Sequence, residues 1–173
     1  DELVEDAMAF LDGRGIHSYG ALPHDEHLGG VTVGDLLDGI GGELLTPDVS
    51  TDGRIERFLV GAMSGSSALS RLRRTRNAAL ITGGDRSDIQ TAALQASGIG
   101  CMVLTGGHRP SQAVLGKATS EGVPIVLVQS DTRTTIDRTE SVLGTGRTRT
   151  PEAVERMADL LDESISVDSL LEE

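Results

Sequence analysis

One local design occurs twice in the middle of this chain: an apolar run, a pair of glycines and a polar start to a helix. The first copy runs from Ala78 through Gly83-Gly84, and the second runs from Cys101 through Gly106-Gly107. Continuous apolar runs of this kind are typical of parallel strands covered by helices on both faces. Glycine at a strand end allows a sharp turn and leaves room for a ligand. The repeat therefore predicts an α/β fold with its functional groups at the strand ends.

The same alternation extends beyond the repeat. Strands are predicted over 57–63, 77–82, 99–105 and 124–129, and helices over 67–74, 85–96, 111–120 and 131–143. The connections between them are short, as in other strand–helix units. We therefore expect a small, mostly parallel sheet with helices on both faces.

The flanking segments carry signals of their own. Before the repeat, the pattern predicts a helix over 2–12, a strand over 16–22, a helix over 33–39 capped by Thr32, and a strand that starts at residue 43. Residues 46–54 are rich in turn-forming residues and are interpreted as a linker. After the repeat, a last helix opens at Pro151 with Thr150 as its cap, and an acidic tail follows.

Three separated motifs resemble the DRTGG domain. They are Gly84-Asp-Arg86, Thr105-Gly-Gly107 and the segment 123–135, and the resemblance covers roughly residues 47–160. It implies a regulatory role, with no catalysis assigned to the domain. Relatives of this kind are fused to CBS domains, or follow dethiobiotin-synthetase-like nucleotide-binding domains in phosphotransacetylase-type proteins.

The first 46 residues are interpreted through the same resemblance. The pattern Gly20-Ala-Leu-Pro-His-Asp25 is similar to the end of a dethiobiotin-synthetase-like P-loop domain. Residues 1–46 are then either the tail of that domain or an N-terminal extension, residues 47–160 the DRTGG-like domain and residues 161–173 an acidic tail. This sequence contains no Gly-x-x-x-x-Gly-Lys-Ser/Thr loop. On this interpretation, the phosphate-binding loop for a triphosphate would lie in a segment upstream.

Composition restricts the partners. The formal net charge is −12 and Lys117 is the single lysine. Nucleic acid is not expected as a partner because no basic stripe is present to neutralise phosphates. The one cationic run, Arg71 to Arg76, is interpreted as a helix end that satisfies the helix dipole. Such acidity is typical of halophilic proteins, although ordinary acidic proteins share it. The absence of an eighteen-residue apolar run and of a signal peptide predicts a cytoplasmic protein without membrane contact.

The candidate ligand site gathers the residues that follow the strands. It comprises Ser64, Gly84, Asp85, Arg86, Thr105, Gly106, Gly107, Asp131, Thr132 and Thr135. Arg86 and the backbone N–H groups of the turns could hold a small anionic metabolite or a nucleotide. The structural alternative is that Asp85 caps the helix and Arg86 pairs with a carboxylate. The sequence names no cofactor.

No catalytic or metal constellation is recognisable. His24 and His27 are spaced by three residues in a predicted turn, which does not match a helical zinc pair, and Cys101 lies inside a strand. We expect a ligand-sensing and dimerisation module that is not itself catalytic, with apolar faces on the helices over 111–120 and after 151. The alternatives are the C-terminal part of a P-loop NTPase or amidoligase-like enzyme, and a purely structural dimerisation domain.

Overall fold

The computed structural model describes residues 2–23, 25, 28–145 and 151–165. The chain divides into two compact units. One contains Asp1–Leu28 and Thr148–Glu173, and the other is Gly29–Arg147. Elements predicted on both sides of residue 46 lie in the second unit, and the candidate site lies there too. The division at residue 46 stays a prediction about domain origin.

A five-stranded sheet forms the centre of Gly29–Arg147. Its strands in spatial order are β2 (Glu43–Leu44), β7 (Ile125–Leu127), β6 (Ile99–Thr105), β5 (Ala78–Gly83) and β4 (Arg57–Val60). All neighbouring pairs are parallel except β2 with β7, which is antiparallel. The predicted fold class, a small and mostly parallel sheet, is confirmed.

Helices cover both faces of this sheet. One face packs against α3 (Gly65–Leu72), α4 (Ser87–Leu94) and α5 (Gln112–Glu121), and the other against α2 (Val33–Ile40) and α6 (Thr132–Thr145). Alternate strand residues serve the two cores: Leu80 contributes to the first, and its neighbour Ile81 to the second. Both side chains are buried, which explains why these strands are continuously apolar.

The linker interpretation of residues 46–54 missed one sheet. A two-stranded antiparallel pair forms between β1 (Val31–Thr32) and β3 (Arg54–Ile55). Ile55 is fully buried, so the pair brings an apolar anchor to the second core. Strands of two residues carry too little periodicity to be recognised in a sequence, and only the tertiary contact reveals them.

Several element bounds also differ from the prediction. The strand predicted over 57–63 ends at Val60, and the helix predicted over 85–96 is α4, Ser87–Leu94. In α5, Val114 and Ala118 are buried against the sheet, so these two residues belong to the core and are not available for the predicted dimer face. Residues spaced by four share one helix face, and here that face is needed by the core.

The other unit contains α1 (Glu2–Asp12) and α7 (Pro151–Ser164). The strand predicted over 16–22 is wrong: within it, the structure has a single antiparallel bridge, between Gly20 and Ile165. Asp25, whose side chain is 7% exposed, accepts a hydrogen bond of 2.7 Å from Arg156 Nε. The helix α7 continues through the start of the predicted acidic tail, whereas Thr150 and residues 166–173 lie outside the described residues.

The start of α2 offers the first testable prediction. Thr32 caps the helix as predicted, with its hydroxyl accepting from Asp35 N at 3.0 Å while the Asp35 carboxylate accepts from Thr32 N at 3.2 Å. This reciprocal capping box satisfies two backbone donors at once. We expect Thr32→Ala to lower the free energy of unfolding by about 1 kcal/mol. Urea denaturation measures this, with Thr32→Ser as the control that keeps the hydroxyl; equal losses in both variants would contradict the capping role.

Candidate functional site

The carboxyl ends of the four parallel strands lie along one edge of the sheet. Because β4, β5, β6 and β7 are spatial neighbours in chain order, the loops that follow them are neighbours as well. The predicted site residues therefore share this edge. The chain leaves β6 toward α5 on one face and leaves β7 toward α6 on the other. Such a divergence creates the kind of crevice in which open α/β sheets bind ligands.

The glycine pairs allow neighbouring loops to approach closely. Gly84 N donates to Thr105 O at 3.1 Å, and a Cβ atom at Gly84 would overlap the carbonyl oxygen of His108. A side chain at position 84 is thus excluded by the second Gly-Gly loop. The first glycine pair is explained by loop packing, independently of any ligand.

The second glycine pair connects the loop after β6 with the end of β7 and the loop that follows it. Gly106 N donates to Ser130 O at 2.9 Å, and Gly107 N donates to Val128 O at 3.0 Å. Both glycines have positive φ, 79° and 71°, which favours glycine. The N–H groups of Gly84, Gly106 and Gly107 are thus already engaged with carbonyls. An anion at this edge would depend on side chains more than on these turn amides.

Arg86 ties two loops together. Its Nε donates to Asp88 Oδ1 at 3.1 Å, and its Nη2 donates to Met63 O at 2.8 Å and to Asp88 Oδ2 at 3.3 Å. Asp88 in turn accepts from Gly65 N at 3.2 Å. The start of α4 and the loop between β4 and α3 are therefore held by one ion pair. In the structure Arg86, and not Asp85, occupies the N-cap position of α4.

The ion pair alters the protonation of both groups. The hydrogen bond from Arg86 is the main reason that the pKa of Asp88 lies below its usual range, and the bond to Asp88 likewise raises the pKa of Arg86. Because the folded-state pKa of Asp88 is depressed, its contribution to stability is present at neutral pH. It is lost as the pH falls through that depressed pKa. The side chains are 37% and 50% exposed, so a soluble anion can reach the pair.

The hydroxyl groups near β7 are mostly structural. Asp131 caps α6, accepting from Thr134 N at 2.9 Å, and this bond is the main cause of its lowered pKa. Thr105 Oγ1 and Thr132 Oγ1 lie 2.9 Å apart. Thr135 Oγ1 donates to Asp131 O at 2.7 Å. Thr105 is 3% exposed and Thr135 is fully buried, so ligand contact by these two stays a prediction that requires the loops to open. Ser64, Asp85 and Asp131 are exposed at the same edge.

Two residues important to this edge were absent from the predicted set. Asp88 supplies the carboxylate to Arg86, and its place in the first turn of a helix is the only sequence signal it carries. Gln90 is fully buried and donates from Nε2 to Gly83 O at 3.2 Å and to Gly84 O at 3.0 Å. Gln90 Oε1 is buried without a hydrogen-bond partner in the described part of the chain. Its sequence signal is weak: a polar residue directly after the apolar Ile89 and followed by a second polar residue, Thr91.

The described residues offer neither a metal site nor a helix that could span a membrane. Within them no group of three or more His, Cys, Asp or Glu side chains could hold a metal ion. His24 and His27 lie outside the described residues. No helix found in the described ranges has the length and apolar character needed to cross a membrane.

Comparison with known proteins identifies relatives of this arrangement. The DRTGG domain family matches residues 35–142. A similar solved structure is that of the CBS and DRTGG domains of the regulatory region of Clostridium perfringens pyrophosphatase, complexed with the activator diadenosine tetraphosphate. It shares 16% sequence identity and superposes with a TM-score of 0.56 over 80% of this chain and 69% of that chain. At this identity the likeness supports the fold.

Proposed function

The chain belongs to the DRTGG domain family, and from that premise we propose that it is a regulatory module that senses a small anionic metabolite or a nucleotide at the strand ends. The observation that carries the proposal is the bridge formed by Arg86. One guanidinium group, partly open to solvent, fixes both the N-terminal end of α4 and the loop that leads into α3.

This bridge gives a ligand a direct effect on structure. An incoming phosphate or carboxylate competes with Asp88 for Arg86, since both offer paired oxygen acceptors to the guanidinium. A guanidinium group turned toward the ligand would also release Met63 O, and the Asp88 carboxylate that accepts from Gly65 N would lose its positive partner. Binding would thus change the position of the β4–α3 loop. A ligand with different affinity for the two loop arrangements shifts the equilibrium between them, as a sensor requires.

The related pyrophosphatase region supports the nucleotide as a ligand class. Its crystal structure holds diadenosine tetraphosphate as activator, a molecule that combines several phosphates with adenine rings. That region contains CBS domains as well as a DRTGG domain. For the present chain, adenine nucleotides are therefore the first ligands to test, with acetyl phosphate, NADH and pyruvate beside them.

The expected result is ligand-dependent thermal stabilisation. A ligand present at a hundredfold excess over its Kd adds about 2.7 kcal/mol to the native state, which raises the Tm by several degrees. We expect Arg86→Ala to remove the part of this increase that the strand-end site supplies and Arg86→Lys to keep some of it, because lysine retains the charge without the fork geometry. Differential scanning fluorimetry of the chain measures both.

A matched control separates the site from general charge effects. Arg133 on α6 is 86% exposed and pairs with Asp137, so Arg133→Ala removes one positive charge without touching the bridge. Its ligand response should equal that of the unaltered chain. Equal loss of response in both variants would contradict the assignment to Arg86. A chain that no ligand stabilises would favour the purely structural dimerisation domain.

The proposal extends to the kind of whole protein in which this domain would occur. The Gly20 to Asp25 pattern supports a phosphotransacetylase-like parent in which a dethiobiotin-synthetase-like domain precedes this one. A downstream acyltransferase domain in the parent gene would favour that context. An upstream phosphate loop without the acyltransferase would favour the P-loop enzyme. We place the protein in the cytoplasm, and its charge of −12 with one lysine suits an interior of high salt.

We also propose self-association through the unit that contains α1 and α7. Leu3, Phe10 and Val154 are 82%, 58% and 61% exposed, and these large apolar side chains favour burial against a second copy. Light scattering coupled to size exclusion, in molar salt at micromolar protein, should give the mass of two chains. The double variant Leu3→Ser/Phe10→Ser should give the mass of one, while Ala113→Ser on α5 should not alter the dimer. A single-chain mass for the unaltered protein would contradict the proposal.

A further inference from the structure

A cavity opens at the end of the strands opposite to the candidate site, where β5 and β6 begin. Its volume is about 400 Å³, within the usual range of small-molecule pockets. It is lined by Arg73, Thr75, Arg76, Asn77, Ser97 and the segment 98–100. We propose that this cavity binds a small phosphate-bearing molecule, and that it is a site separate from the edge that carries Arg86.

The cations of this cavity are unusual for so acidic a protein. Arg71, Arg73, Arg74 and Arg76 follow one another within six residues, in a chain of net charge −12. Among the described residues none of these four guanidinium groups forms an ion pair. Two of them, Arg73 and Arg76, line the cavity. Clustered arginines without carboxylate partners are suited to bidentate binding of phosphate.

Capping of α3 does not account for these arginines. The last carbonyls of the helix are satisfied locally: Leu69 O accepts from Arg73 N at 3.1 Å, and Leu72 O accepts from Thr75 N at 3.2 Å. Arg71 O accepts from Thr75 Oγ1 at 3.0 Å. No guanidinium hydrogen bond to these carbonyls occurs in the described part of the chain. The charge is therefore available to a ligand.

The floor of the cavity has the irregular backbone that is common at binding sites. The pairing of β5 with β6 shifts between Ala78 and Ala79, so Gly100 is the extra residue between Ile99 and Cys101. Bulges of this kind are over-represented next to functional sites. A Cβ atom at Gly98 would overlap Thr75 O, so the floor of the cavity is formed there by backbone atoms.

Asn77 adds an independent observation. It is the only described non-glycine residue with positive φ, at 51°, a conformation that asparagine tolerates better than most residues. Its amide Nδ2 donates to Glu56 Oε1 at 2.8 Å, and its carbonyl accepts from Glu56 N at 2.8 Å. The two hydrogen bonds to Glu56 hold Asn77 in this left-handed backbone conformation. Residues held in such uncommon conformations occur often at binding sites.

The chain offers a matched pair of variants to test the site. Arg73→Gln/Arg76→Gln removes the two guanidinium groups that line the cavity, whereas Arg71→Gln/Arg74→Gln removes the same charge from the same helix end outside it. We expect AMP and inorganic phosphate to bind the unaltered chain, and adenosine not to bind. Calorimetric titration should show AMP binding at least about tenfold weaker in the first variant. In the second variant the affinity should stay within about twofold, as expected for charges that do not touch the ligand.

Amide NMR identifies which edge is occupied. AMP should shift the Gly98 and Gly100 signals, and Arg86→Ala should neither remove these shifts nor weaken this binding, whereas any shifts of Gly84, Gly106 and Gly107 report the site at Arg86 separately. Failure at Arg86 with success here would contradict the proposed sensor site alone. Absent binding of either probe, equal losses in the two double variants, or an RNA oligonucleotide that binds more tightly than AMP would overturn the inference.

Discussion

Gly84→Ala is expected to destabilise the fold by about 3 kcal/mol, because the new methyl group has no space. It would overlap the backbone carbonyl oxygen of His108, which cannot move aside as a flexible side chain can. The two strand-exit loops would have to separate, and that movement would also break the hydrogen bond from Gly84 N to Thr105 O. Urea denaturation followed by circular dichroism measures the loss.

Gly116→Ala is the matched control for this effect. Gly116 lies within α5 and is exposed, and apart from its chain neighbours and the backbone of its own helix no atom lies within 4 Å of the position that a Cβ would occupy. Alanine there removes backbone freedom from the unfolded chain and should stabilise the protein by about 0.5–1 kcal/mol. The two substitutions are chemically identical, so opposite signs would show that the steric contact with His108 decides the outcome. A Gly84→Ala variant as stable as the unaltered chain would contradict the close packing of the loops.

This contact also shows why part of the site was predictable and part was not. The apolar runs over β5 and β6 and the glycines behind them place the loops on one edge of a parallel sheet, because the fold follows from local pattern. The partner of each loop depends on tertiary contacts that no spacing reveals. Gly107 N donates a hydrogen bond to Val128 O, and Gly84 N donates one to Thr105 O, and in each pair the two residues are distant in sequence.

The contacts of Arg86 were likewise predictable only in part. The motif marks this arginine, and the sequence left two interpretations open, an anion ligand or a carboxylate partner. In the structure it has a carboxylate partner, Asp88, only two residues further along the chain. It also holds Met63 O, which is 23 residues away. Sequence proximity could suggest the first contact, whereas the second depends on β4 and β5 being neighbours.

The sequence also could not show which apolar helix faces the core covers. The apolar residues of α5 were equally compatible with a core face and with a dimer face, because periodicity identifies an apolar stripe without identifying what covers it. The sheet buries Val114 and Ala118. Within the described residues the exposed large apolar side chains instead lie in the unit with α1, a helix in which no residue is buried.

The centre of the same core provides the second prediction of large effect. Cys101 lies in β6, fully buried among the apolar residues that α2 and α6 cover, which confirms its expected place as a small core residue. Burial raises the pKa of the Cys101 thiol to about 12, since the charged thiolate loses its hydration there. The ordinary thiol pKa is about 8.5. At pH 8 the native protein therefore holds roughly a thousandfold less thiolate than an unfolded chain.

The expected result is that Cys101 in the native protein reacts with a disulfide reagent such as DTNB at least about a thousandfold more slowly than in urea, because the thiolate is the nucleophile.

The free energy of unfolding should also depend on pH, and the buried thiol fixes the sign of that dependence. Below about pH 8.5 both states keep the proton, whereas at higher pH only the unfolded state loses it, so stability falls by about 1.4 kcal/mol per unit up to about pH 12. From pH 8 to pH 10 the loss should be about 2 kcal/mol greater for the unaltered chain than for Cys101→Ala, in which the other titrating groups are unchanged. A pH dependence that is identical in the two proteins, together with rapid native labelling, would contradict burial of the thiol. If labelling is slow, its rate reports the opening of β6, and a ligand that binds the native state should slow it further in proportion to the stabilisation.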